Sequence, residues 1–102
     1  MSNYIFAYHG GKDPESPEEA AKHMEKWNAW MDSLGDVFAN PGTPLKSSIT
    51  LSSGGILDVN SDSQLSGFSI LTADNMDAAL EIAKGCPFLE LGNIEVAEIF
   101  ER

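Results

Sequence analysis

Residues 16–34 read S-P-E-E-A-A-K-H-M-E-K-W-N-A-W-M-D-S-L, and the rest of the chain is arranged around this segment. Ser16 followed by Pro17 and, three residues on, Glu19 is a capping box with proline in the first helical position, so the helix start is written into the sequence. At about 100° per residue, Ala20, Met24, Trp27, Trp30, Met31 and Leu34 fall on one face roughly 120° wide, the stripe of a helix that packs on a core. His23 falls inside that stripe, a titratable ring among apolar side chains.

Upstream, Asn3 to Tyr8 alternates Tyr4, Phe6 and Tyr8 against Ile5 and Ala7 and stops at His9-Gly10-Gly11. Apolar groups on both sides predict a strand covered on both faces. Downstream, Gly35 is the expected left-handed helix end, and Asp36 to Ala39 predicts a second strand that N-P-G-T-P at 40–44 interrupts, because two prolines forbid a regular interior strand. Lys46 to Ser52 and Ile56 to Val59 flank a Ser53-Gly54-Gly55 turn and predict a hairpin, whereas 60–66 is polar and turn-like. Gly67 to Ala73 predicts a strand with Phe68 and Ile70 on one face and Leu71 on the other. Asp74 is the expected cap of a second helix over Asn75 to Lys84, with Met76, Ala79, Leu80 and Ala83 as its buried face and Gly85 and Pro87 ending it. Ile94 to Glu101 alternates as a last strand.

This order is the β-α-β-β-α-β arrangement of an α+β, ferredoxin-like domain spanning 1–102, an antiparallel sheet with two helices on one face. The other face keeps the apolar residues of the first and last strands, a patch that soluble monomers seldom expose. A homodimer packed through the sheet faces is therefore expected.

Composition narrows the partners. Sixteen acidic against six basic residues give a net charge of -10, which repels phosphate backbones and anionic lipid, so neither nucleic acid nor membrane is expected as a partner. The opening M-S-N-Y-I-F-A-Y has no basic n-region, and nowhere do about eighteen apolar residues run together. The one cysteine, Cys86, permits no internal disulfide. These features predict a cytoplasmic protein.

The chain resembles the YCII-related proteins of the dimeric α+β barrel superfamily. The resemblance rests on Y-I-F-A-Y-H-G-G in strand one, on Trp27 and Trp30, and on G-F-S-I-L-T-A-D-N-M-D-A-A-L-E-I-A-K-G-C-P-F-L-E-L-G-N-I-E-V-A-E-I-F at 67–100. It implies the ferredoxin-like dimer derived above. Many relatives carry an Asp-Gly-Pro-Phe signature before the third main strand; this chain has Asn60-Ser61-Asp62-Ser63-Gln64-Leu65-Ser66-Gly67 instead, and no role tied to that motif transfers. The resemblance also implies a helix-one histidine working with an aspartate, and His23 holds the histidine's position.

The residues themselves name further candidates. Asp36 is the first acid after the helix, yet the 11 residues from His23 to Leu34 span about 16 Å at 1.5 Å each, which disfavours a direct pair within one chain and leaves Asp58 or Asp62 as alternatives. His9 ends strand one at the pole where the helix begins, so both histidines are expected at one cavity. Trp27 and Trp30 read as core before ligand platform, and Cys86, with no flanking cation, reads as an inert thiol. There is no P-loop, no G-x-G-x-x-G and no G-x-S-x-G, and His9, His23 and Cys86 are too few for a zinc site, so no cofactor or metal is expected. Two functions stay open: an enzyme of lyase, isomerase or dehalogenase type in which His23 transfers a proton, assisted by His9 and Asp36, on a small polar or aromatic metabolite, and a non-catalytic protein that binds such a molecule.

Overall fold

The computed structural model describes residues 2–11, 15–57 and 64–100. Its elements follow as β1 (Ser2–Gly10), α1 (Pro17–Leu34), β2 (Phe38–Pro44), β3 (Thr50–Ser52), β4 (Gly55–Leu57), β5 (Leu65–Ala73), α2 (Met76–Lys84) and β6 (Gly92–Glu98). β2, β5, β1 and β6 lie side by side in that order in one antiparallel sheet, with β1 and β5 central. This is the ferredoxin-like arrangement, and β3 with β4 is a separate hairpin between its second and third strands.

Local chemistry explains most boundaries. The Ser16 side chain accepts from the Glu19 backbone N–H at 3.2 Å, while the Glu19 carboxylate accepts from the Glu15 N–H at 2.9 Å. Gly35 ends the helix with a positive φ of 66°, but its ψ of -130° places it outside the left-handed cap that the sequence predicts. The cap of α2 is Asn75, one residue past Asp74: its backbone is extended and its side-chain oxygen accepts from the Ala78 N–H at 2.8 Å, the third helical position that a capping side chain reaches. The second main strand also departs from expectation, because Asp36 and Val37 belong to a 3-10 turn and β2 runs on through both prolines. An edge position tolerates this, and the pairing with β5 shifts register on either side of Asn40.

Alternation along β1 sets the layers. Tyr4, Phe6 and Tyr8 are buried under the helices with Leu71, Ser69 and Ala73 of β5, and Trp30, Ala79 and Ala83 close the core from above. The Trp30 indole N–H donates to the Ile82 carbonyl at 3.3 Å and ties the two helices together. Small Ala79 and Ala83 bring α2 close to the sheet, which pushes Leu80 and Met76 to its flank, exposed rather than buried as the helical stripe suggests. Met24 departs in the same way on α1, at 54% exposure. On the opposite face Ile5 stands across from Ile70 and Ala97, and Ala7 across from Phe68. Among the described residues both helices lie on the Tyr4 side, so this second face is open.

Candidate functional site

The pole where β1 ends is the chemically distinctive part of the molecule. Six residues into α1, about 9 Å from Pro17, His23 points into a cavity of about 440 Å³. Aromatic rings make its walls. The Tyr8 ring lies 5.0 Å from Phe88 and 5.7 Å from Trp27, and the His23 ring is tilted 39° to Trp27 at 6.4 Å. Gly42 to Pro44 of β2 and Ser66 and Gly67 of β5 complete the lining from the sheet edge.

Close backbone packing produces the hollow. Gly10 and Gly11 take left-handed φ values of 78° and 103°, and a Cβ on Gly11 would stand 3.3 Å from the Phe88 ring. The β5 backbone passes β2 so tightly that a Cβ on Gly67 would meet the Thr43 carbonyl oxygen at 2.9 Å. Glycine at these positions is a packing requirement.

Beneath the cavity runs a buried hydrogen-bond relay. The Ser69 hydroxyl, fully buried, donates to the Pro41 carbonyl at 2.9 Å and lies 2.6 Å from the Tyr8 hydroxyl. A carbonyl only accepts and a serine has one proton to give, so Tyr8 donates to Ser69. The relay fastens Pro41 to the sheet where β2 and β5 slip register. Alongside it, the Asn40 side chain accepts from the Gly42 N–H at 3.0 Å and bonds the Thr43 hydroxyl. Burial holds the Tyr8 phenol well above its ordinary range.

His23 differs from these polar groups. Ser66 spends its hydroxyl on the Tyr8 carbonyl at 3.0 Å and Thr43 is engaged with Asn40. The half-buried His23 ring has no hydrogen-bond partner among the described residues, and no carboxylate, lysine or arginine lines the cavity among them. An imidazole placed this way can exchange a proton with, or hydrogen-bond to, whatever enters.

His9 is not at this cavity. It follows Tyr8, so its side chain leaves the sheet on the opposite, open face, where Nε2 lies 3.0 Å from the Glu95 carboxylate. Sharing a pole with His23 does not bring it to the same side of the sheet. Asp36 sits exposed in the turn after α1, at the far end of that helix, so the chain does not bring it to His23. Asp58 and Asp62 lie outside the described residues. The tryptophans divide their roles: Trp30 is core, whereas Trp27 is half-buried and forms cavity wall. Cys86 is buried, and burial pushes its thiol up to about 11.

Tyr8, Phe88 and the 42–44 segment are site residues that the sequence reading passed over. Tyr8 was accessible from strand parity, since it shares a face with Phe6 under the helix. Phe88 comes from a 3-10 turn at Pro87–Glu90 whose position depends on the whole fold. A larger hollow of about 640 Å³ opens between α1 and the end of α2. Its lysines are already committed, Lys26 to Glu90 at 3.1 Å and Lys84 to Glu81 at 2.8 Å. Among the described residues no three His, Cys, Asp or Glu side chains stand together as a metal site, and no helix is long and apolar enough to cross a membrane.

A family model for the YCII-related domain matches residues 4–102. The chain belongs to the YCII-related family. The structure of this YCII-related chain is similar to that of 5-chloro-2-hydroxyhydroquinone dehydrochlorinase from Burkholderia phenoliruptrix AC1100, solved in complex with 2,5-dihydroxybenzoquinone. The TM-score is 0.57 at 17% sequence identity, covering 97% of this chain and 95% of that one. At this identity the likeness is one of fold. No curated protein matches the sequence significantly.

Proposed function

We propose that this YCII-related chain is an enzyme that binds a small polar aromatic or quinonoid ring in the His23 cavity and uses the imidazole to transfer a proton. The observation that carries the reading is the half-buried His23 ring, without a hydrogen-bond partner among the described residues, facing a cavity walled by Tyr8, Trp27 and Phe88. Aromatic walls favour a planar ring by stacking and edge contacts, and a volume of about 440 Å³ lies in the range of small-molecule sites.

Elimination of a hydrogen halide suits such a site. The imidazole takes the substrate proton, the electron pair of that bond becomes a new double bond, the carbon–halogen bond breaks with its own pair, and halide leaves to solvent, to which the imidazolium then returns the proton. Isomerisation would use the same group, returning the proton at another atom. The working unit is proposed to be a homodimer of single 1–102 domains joined through the open sheet faces, where Ile5, Ala7, Phe68, Ile70 and Ala97 would be covered. The lone thiol fits a reducing, cytoplasmic setting.

The lack of a carboxylate at the cavity among the described residues favours a second reading, a protein that holds such a ring without converting it. His23→Asn separates the two. Incubation with halogenated hydroxyhydroquinones, followed by halide release, should show turnover by the native chain and at least a 100-fold loss in the variant. Turnover that survives the substitution unchanged removes His23 from catalysis. Binding without turnover in the native chain selects the second reading.

A further inference from the structure

Among the described residues the hairpin β3–β4 buries little of its apolar surface. Its strands pair with each other and with no other described strand: Leu51 stands opposite Ile56, and Thr50 opposite Leu57. Leu51 and Ile56 share one side of this ribbon and are 74% and 70% exposed, Ile49 just before β3 is 77% exposed, and Leu57 on the other side is 50% exposed. It is nevertheless a built element. Gly55 takes a φ of 121°, the Ser52 hydroxyl donates to the Gly55 carbonyl at 3.0 Å across the turn, and the Gln64 amide donates to the Ser48 carbonyl at the base. An isolated two-stranded hairpin is marginal at best in water, so a ribbon with this much bare apolar surface needs something to lie against.

Charge points to the occupant. A chain of net charge -10 repels its own copies, so a surface without acids is where two copies approach at least cost. Residues 45–57, L-K-S-S-I-T-L-S-S-G-G-I-L, contain no acid and one lysine. On the open sheet face, the Glu95 carboxylate hydrogen-bonds the His9 ring. Four strands about 4.8 Å apart and seven to nine residues long, at about 3.3 Å per residue, give the sheet a flat footprint of roughly 500 Å², and an arm from each protomer adds accessible area toward the about 800 Å² per partner of a standard interface. A twofold dimer counts the arm twice, once from each protomer.

We infer that the 49–57 hairpin is a dimerisation arm whose Ile49, Leu51 and Ile56 pack on a second copy of this chain. The inference rests on the homodimer proposed above and goes beyond it, because a sheet-face dimer could form without the arm. The arm's base is fastened at the cavity rim, where the Gly10 N–H donates to the Gln64 carbonyl at 2.7 Å and the Leu45 N–H to the Ser66 carbonyl at 2.9 Å. Gripping the partner therefore also holds the strand ends that frame the His23 cavity.

Sedimentation velocity over a concentration series compares the native chain with the double variant Leu51→Ser, Ile56→Ser. The arm predicts at least a tenfold rise in the dimer dissociation constant with unchanged far-ultraviolet circular dichroism. A native dimer whose constant is unaffected by the double variant overturns the arm and leaves the sheet-face dimer standing. A native chain that is monomeric throughout overturns both. Should the variant fail to fold, a photo-crosslinking benzoylphenylalanine at Ile56 in an otherwise native mixture of ¹⁴N and ¹⁵N chains decides. Mixed-isotope cross-links support the arm, and cross-links confined to one chain, or none between copies, overturn it.

Discussion

Replacing Ser69 by alanine removes a hydroxyl that is fully buried and bonded twice, to Tyr8 at 2.6 Å and to Pro41 at 2.9 Å. Only the Tyr8 hydroxyl is left as an orphan on a buried residue, because Pro41 is exposed. An orphaned buried group costs about 1–3 kcal/mol, so the expected loss is about 2 kcal/mol. Tyr8→Phe should cost less, about 1 kcal/mol, because Ser69 keeps its proton on Pro41 and no donor is orphaned. In the double variant no buried donor is orphaned and the loss should stay at about 1 kcal/mol, which gives a coupling of about 2 kcal/mol between the two positions. Urea denaturation of the native chain, both single variants and the double variant measures all four corners. In thermal unfolding the Ser69→Ala loss should lower the midpoint by about 8 °C or more. A Ser69→Ala cost below about 0.5 kcal/mol, or a Tyr8→Phe cost exceeding it, would refute the deduction that the proton chain runs from Tyr8 through Ser69 to Pro41.

Other consequences follow from the same packing. Gly92→Ala would drive a Cβ onto the His9 carbonyl oxygen and to 2.9 Å from the Gly11 nitrogen and 3.0 Å from the Phe88 ring. The backbone atoms cannot retreat, and a lowered urea midpoint should report a loss of about 3 kcal/mol, the upper end of overpacking costs. Cys86 is raised from 9.0 to about 11 by burial. The folded state therefore holds its proton where the unfolded state has released it, so stability is full below pH 9 and falls as the pH rises toward 11, by on the order of 2 kcal/mol. Denaturation curves at pH 8 and pH 11 should show this loss, and Cys86→Ala should reduce it, Tyr8 adding its own loss above pH 10. Phe88→Leu should cost about 1 kcal/mol through its contact with Tyr8, and isothermal titration should find 2,5-dihydroxybenzoquinone bound about tenfold more weakly.

Local grammar carried much of the fold. Ser16-Pro17 and Glu19 set the start of α1, the alternation of Tyr4, Phe6 and Tyr8 marks the core side of β1, and Ser53-Gly54-Gly55 marks the hairpin turn. The same alternation already separates His9 from Tyr8, so the side of the sheet on which His9 stands was readable, and grouping the histidines by pole overlooked it. Distance along α1 likewise warned against Asp36. What local pattern could not carry depends on long-range packing. The Tyr8–Ser69–Pro41 relay joins residues up to 61 apart in sequence, and Phe88 reaches Tyr8 only once α2 and β6 have docked. The prolines of β2 argued for an interruption, but an edge position lets the strand persist by slipping register.

His23, and not His9, is proposed to meet the ligand. Imidazole resonances followed by NMR from pH 5 to 9, with and without 2,5-dihydroxybenzoquinone, test it directly. The ligand is expected to move the His23 ring resonances while those of His9, bonded to Glu95 on the other face of the sheet, stay unchanged. A ligand that binds and leaves His23 unmoved, or that moves His9 alone, contradicts it.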